Sequence, residues 1–181
     1  MIVALTRREQ ALTGRRSYAD PVVQAPDKLG AIQAAEAAFR DGHVSYALIG
    51  GVAVGIRSGV PRATLDVDFA ISTSVDREAV SEVFAHAGFR RTGSFAHSLN
   101  FVHASGEPVQ LAFDAAFDPM IARAERVRFG ELELVVVTLE DLIAMKRLAA
   151  ADPGRRRSKA LRDEADIALL LGDVPGPNEG W

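Results

Sequence analysis

Apolar residues recur along the chain at two spacings, and the switches between them mark out the elements. Leu29, Ile32, Ala35, Ala38 and Phe39 fall at helical intervals, which predicts a helix from about Asp27 to Asp41. Asp27 offers a carboxylate to the first free amides, and Gly42 stands where helices commonly end. Ser45 to Ile49 is a short apolar run suited to a buried strand, closed by Gly50-Gly51. A short helix over Val52 to Arg57 is then broken by Ser58-Gly59-Val60-Pro61. Thr64 to Ser72 alternates polar and apolar positions and reads as a second strand. Asp76 to Ala87 is amphipathic, with Val80, Val83 and Phe84 inward, and Gly88 follows it.

Leu99 to His103 and Val109 to Asp114 read as strands joined by Ser105-Gly106-Glu107-Pro108. Arg126 to Phe129 and Glu131 to Val137 form a second expected hairpin, turning near Gly130. Thr138-Leu139-Glu140-Asp141 resembles a capping box in which Asp141 reaches back to the Thr138 amide. The helix it opens runs to about Ala150 and stops at Asp152-Pro153-Gly154. A last helix, Arg156 to Leu171, is expected to pack through Leu161, Ala165, Ala168 and Leu169. Hairpins inside such an order argue for an α+β (α/β-like) fold, a mixed sheet flanked by helices with further C-terminal helices. The expected division is an N-terminal arm over residues 1–26, a core over 27–137, C-terminal helices over 138–172 and a Pro- and Gly-rich tail over 173–181.

Composition narrows the chemistry. The 181 residues include no cysteine, which excludes disulfides, thiolate metal sites and thiol nucleophiles. No signal-like or membrane-length apolar run is present, so a cytoplasmic protein without a membrane partner is expected. Net charge is −3, but basic residues cluster at Arg155, Arg156, Arg157, Lys159 and Arg162, and again at Arg123, Arg126 and Arg128. Such runs serve equally as solvated helix surface or as phosphate-binding patches.

On a strand, Thr64, Asp66, Asp68 and Ala70 share one face, while Leu65, Val67, Phe69 and Ile71 turn to the core. Paired carboxylates repel unless they face water or share a cation. Oxygen ligands without sulfur favour a hard ion, Mg²⁺ or, in its place, Mn²⁺. On the later strand Gln110, Ala112 and Asp114 share a face. If the two strands are neighbours, Asp114 joins Asp66 and Asp68 in a three-carboxylate cluster able to hold two ions. An exposed sheet face explains these acids as well. Gly50-Gly51, between a strand and a helix N-terminus, suits a phosphate or simply a tight turn.

The combination is more specific than its parts. Gly50-Gly51, then Arg62, Thr64 and Asp66-Val67-Asp68, with a later acid matched by Asp114, resembles the nucleotidyltransferase superfamily of polymerase-beta type. Arg62 to Asp68, Leu139 to Lys146, and Asp163 and Asp166 are similar to motifs of its abortive-infection Eii-type (AbiEii-like) toxins. The resemblance spans roughly residues 28–171. It implies that Asp66, Asp68 and Asp114 ligate metal, with Asp114 assisting deprotonation of the acceptor. It also implies that Gly50 and Gly51 cradle a triphosphate, that Lys146 reaches its outer phosphates, and that Arg62 and Thr64 lie against the nucleotide. Asp163 and Asp166 share a helix face and are expected to brace Lys146 or Arg157, or to face solvent. Where relatives often carry Ser, Gly51 offers only its backbone.

The function so implied is metal-dependent transfer of a nucleoside monophosphate from an NTP to an acceptor hydroxyl, with release of pyrophosphate. The acceptor expected is tRNA or another RNA end, which the basic runs favour, or a protein side chain, in a toxin–antitoxin setting with a cognate antitoxin protein. The alternatives are a small-molecule (antibiotic) nucleotidyltransferase and a non-catalytic antitoxin or binding module of the same fold.

Overall fold

The computed structural model describes residues 26–174 and Gly176. The expected arm, apart from Pro26, and most of the tail lie outside the described residues. The described elements are α1 (Lys28–Asp41), β1 (Tyr46–Ile49), α2 (Gly50–Ser58), β2 (Val67–Ile71), α3 (Arg77–His86), β3 (Phe89–Phe95) and β4 (Ser98–His103). They continue with β5 (Pro108–Phe113), a 3-10 turn (Ala115–Phe117), α4 (Asp118–Ala122), β6 (Glu125–Phe129), β7 (Leu132–Val136), α5 (Leu139–Ala151) and α6 (Arg157–Leu170).

The strands form one seven-stranded sheet in the order β3-β4-β5-β2-β1-β7-β6. Pairs β2–β5 and β1–β7 are parallel and the others antiparallel, so the sheet is mixed as expected. The central strands β1 and β2 are apolar nearly throughout because both of their faces are covered. On one face, Phe39 of α1 and Phe84 of α3 meet Tyr46, Phe69, Phe89 and Phe101 of the sheet. Ring centroids there lie 4.2 to 5.8 Å apart. This aromatic layer fills one face of the sheet; the other is covered in part by buried Ala47, Ala70, Ala53 and Val54 and also carries the polar groups of the site.

Local signals set the helix ends. Asp27 accepts from the Gly30 amide and Asp76 from the Glu78 amide. Gly42 follows α1, but the left-handed residue is His43, with φ of 51°. Thr138 accepts from the Asp141 amide at 3.2 Å as a cap should. The Asp141 carboxylate does not return to the Thr138 amide. It takes the Thr138 hydroxyl and the Arg123 guanidinium instead, the latter being the stronger, charge-assisted partner.

Two expectations need correction, and one strand has no counterpart among them. Phe89–Phe95 is a strand that its polar sequence hides, because β3 is an exposed edge strand. Leu65 is 85% exposed, since regular strand geometry begins only at Val67 and the alternation does not extend back to it. In α6, Leu161 is 50% exposed while Asp163 and Asp166 are each 2% exposed, so this helix packs through its acids and Leu170.

Candidate active site

The strand register builds the site. Asp68 on β2 lies beside Ile49 at the end of β1 and beside Gln110 on β5, and Gln110 in turn lies beside Asn100 on β4. Residues paired across strands share a face. Asp68, Gln110 and Asn100 therefore make a polar row on the face opposite the aromatic layer. Gln110 Nε2 donates to Asn100 Oδ1 at 3.3 Å, which fixes the amide in the row. Asp66 precedes β2, and Thr64 Oγ1 donates to its carboxylate at 3.2 Å.

These residues line a cleft of about 400 Å³ together with Gly50, Gly51, Arg62, Lys146, Arg155, Lys159, Arg162 and Asp163. A larger, mostly apolar groove of about 640 Å³ lies beyond Gly51, Arg62 and Thr64, and carries no carboxylate. The chemistry-bearing groups are in the smaller cleft.

Both glycines are required by the site's own side chains. Gly50 has φ of 69°, and a Cβ there would overlap the Asp68 carboxylate. At Gly51 a Cβ would lie 2.9 Å from Thr64 Oγ1. The pair thus lets Asp68 and Thr64 close onto the N-terminus of α2, whose first amides point outward without helical partners.

Behind the acids lies a buried ionic lattice. Arg62 holds Asp166 through Nε at 2.5 Å and Nη2 at 3.1 Å. Lys146 Nζ lies 2.9 Å from Asp163 Oδ1 and 2.8 Å from Asp166 Oδ2. Arg155 Nε donates to Asp163 Oδ2 at 2.6 Å. Asp163 and Asp166 brace Lys146, as the spacing suggested, but the partners beside it are Arg62 and Arg155 rather than Arg157. Burial would raise the Asp166 carboxyl, but Arg62 and Lys146 outweigh it and hold the group below its ordinary range.

Asp68 shows the opposite balance. Burial, and then the charge of Asp66, push its carboxyl up to about 6, while Lys146, Lys28 and Lys159 pull it down. Lys28, at the start of α1, bonds Glu107 and also feels both Asp66 and Asp68.

Asp114 is not in this cluster. Pairing of Asp68 with Gln110 leaves Asp114 four residues further on, just past the end of β5 and roughly 13 Å away at about 3.3 Å per residue. Its carboxylate instead accepts from the Ala116 amide at 2.9 Å and caps the 3-10 turn. Alternation gave the shared face of Gln110 and Asp114 but not the register. Among the described residues no group of three or more His, Cys, Asp or Glu side chains is arranged to hold a metal.

The family described as nucleotidyl transferase AbiEii toxin, Type IV TA system, matches residues 34–179. The chain belongs to the AbiEii nucleotidyltransferase toxin family. It is accordingly an enzyme of nucleotidyl transfer, with the nucleotide and an acceptor as its substrates. The fold agrees with solved structures of this class. ANT(2'')-Ia in complex with adenylyl-2''-tobramycin is 17% identical over 81% of this chain and 90% of that one, with a TM-score of 0.58. The lincosamide antibiotic adenylyltransferase LnuA, lincomycin-bound, is 11% identical over 83% and 99%, with a TM-score of 0.59. An antigenic nucleotidyltransferase-like protein from Paracoccidioides brasiliensis is 23% identical over 86% and 81%, with a TM-score of 0.55. No curated protein matches the chain. No helix among the described residues of this AbiEii-family enzyme is long and apolar enough to cross a membrane.

Proposed function

We propose that this AbiEii-family enzyme transfers a nucleoside monophosphate from an NTP to a hydroxyl of an RNA acceptor such as tRNA. The observation that carries this reading is the convergence of Asp66, Asp68, the Gly50-Gly51 turn and Lys146 on one cleft rimmed by Arg155, Lys159 and Arg162.

Asp66 and Asp68 suit one hard divalent ion, Mg²⁺ or Mn²⁺. Burial, and then the charge of Asp66, raise the Asp68 carboxyl to about 6, and a cation between the two acids would offset that cost. A bound ion would neutralise charge on the phosphates during in-line displacement. The outward amides of α2 at Gly50-Gly51 suit the triphosphate. Lys146 is held toward the cleft by Asp163 and Asp166, which fixes a flexible point charge for the outer phosphates. Arg62, bound to Asp166 through Nε and Nη2 and to the Ala63 carbonyl through Nη1, serves more as a brace than as a free phosphate ligand. Thr64 positions Asp66. In the reaction the acceptor oxygen bonds to the α-phosphorus, the bond to the bridging oxygen breaks, and pyrophosphate leaves.

Charge around the cleft favours RNA over a cationic antibiotic. Arg62, Lys146 and Arg155 are matched by Asp163 and Asp166, and Lys159 and Arg162 add further basic charge on its walls. A cognate antitoxin follows from the toxin–antitoxin setting of the family, and a cytoplasmic location fits an RNA acceptor. The test is label transfer from each α-labelled NTP to bulk tRNA with Mg²⁺, with Asp66→Ala as control. Metal-dependent labelling in the wild type alone is expected. Equal labelling by Asp66→Ala would remove the site, and labelling of an aminoglycoside but not of tRNA would replace the acceptor.

A further inference from the structure

In-line transfer with two divalent ions about 4 Å apart needs carboxylates for both ions. The register shows what this chain sets beside Asp68 on the neighbouring strand, and it is Gln110, an uncharged amide tied to Asn100. Gln110 lines the cleft with Asp66 and Asp68, whereas Asp114 is turned to the Ala116 amide four residues on. The second observation is electrostatic. Lys28, Lys146 and Lys159 all act on Asp68, so the acids already face protein cations from α1, α5 and α6. Lys28 and Lys146 are themselves paired to Glu107, Asp163 and Asp166, so the two carboxylates match one divalent ion, and the neutral Gln110 adds no charge for another.

We infer that Gln110 makes this a single-ion site, in which Asp66 and Asp68 hold the ion that accompanies the nucleotide and Gln110 presents a neutral amide oxygen to the attacking hydroxyl. Nε2 of Gln110 is engaged by Asn100, which leaves Oε1 as the acceptor that orients the hydroxyl. An amide oxygen accepts a hydrogen bond but does not take the proton at neutral pH. As the oxygen–phosphorus bond forms and pyrophosphate departs, the hydroxyl proton therefore passes to water. Gln110 is on this reading both an ion-counting and a positioning residue.

The inference rests on the proposed nucleotide site, and the experiment separates the two. Mn²⁺ is titrated into the full chain saturated with the α,β-methylene analogue of the NTP that supports labelling, and free Mn²⁺ is read by electron paramagnetic resonance. One bound Mn²⁺ per complex is expected for the wild type and for Gln110→Ala, and two for Gln110→Glu. Gln110→Asp repeats the gain with a shorter carboxylate, and circular dichroism verifies folding of each variant. Two ions in the wild type, with or without loss of one in Gln110→Ala, would overturn the inference while leaving the nucleotide site intact. So would a folded Gln110→Glu and Gln110→Asp that both stay at one ion. Absence of any nucleotide-dependent Mn²⁺ binding in the wild type would instead overturn the nucleotide site itself.

Discussion

Without metal, Asp68→Asn should make the protein more stable while it abolishes transfer. The Asp68 carboxyl titrates near 3.8 in an unfolded chain and at about 6 in the folded one, first through burial and then through Asp66. Because the folded-state value is the higher, the folded protein binds more protons between these two values. Stability then falls as pH rises through that window, and the loss is complete above about pH 6. At about 1.4 kcal/mol per pH unit, the charged Asp68 costs the metal-free fold about 3 kcal/mol at pH 7.5, and about 1 kcal/mol at pH 4.5. Asparagine is nearly the same size and carries no charge, so it removes most of this cost. Urea denaturation in EDTA should show Asp68→Asn more stable by about 2–3 kcal/mol at pH 7.5, with the gap shrinking by about two-thirds at pH 4.5. Mg²⁺ should narrow the gap by stabilising the wild type, as a ligand of the folded state alone must. A variant less stable than the wild type at pH 7.5, or a gap that does not change with pH, would refute the reasoning.

Other substitutions test separate parts of the structure. Asp114→Ala should lose about 1 kcal/mol of stability from its cap on Ala116, with NTP binding and transfer unchanged, measured by chemical denaturation and by labelling. Asp166→Asn leaves Arg62 and Lys146 without their shared charge. It should destabilise by about 3 kcal/mol and raise KM for NTP, as thermal melts and steady-state kinetics would record. Leu65→Ser should change stability by no more than about 0.5 kcal/mol, because the side chain is 85% exposed.

Much of the fold was legible because periodicity and breakers agree in this chain. The helices α1, α3 and α5 and the β4–β5 and β6–β7 hairpins lie within a few residues of their sequence-based limits. The edge strand β3 was not, because Arg90, Arg91 and Thr92 face water and break the alternation that a half-buried strand would show. In the site, Asp66 and Asp68 share the cleft as their spacing implied. What spacing cannot supply is the offset between strands. Gln110 and Asp114 are equivalent by alternation, and only the pairing of Val67 with Val109 decides between them. Chemical identity favoured the acid, and register selected the amide. Lys28 was also beyond reach, since it is brought to the acids from a helix 38 residues upstream of Asp66 by packing alone.

The same distinction explains α6, whose sequence looks amphipathic in the wrong sense. Its exposed Leu161 and buried Asp163 and Asp166 would be a poor way to attach a helix for stability. Removing paired charges from water commonly costs as much as their attraction returns, and an apolar seam would do as well or better. A seam of that kind would, however, leave Lys146, Arg62 and Arg155 unpaired beside the cleft. With Asp163 and Asp166 in place, these cations are each held at fixed positions near Asp66 and Asp68, and one of them, Lys146, pulls against the rise of the Asp68 carboxyl. The helix is therefore attached by the groups that order the cleft. Its docking and the geometry of the cleft must weaken together. Asp166→Asn is expected to act on both, where an apolar truncation at Leu170 would act on stability first.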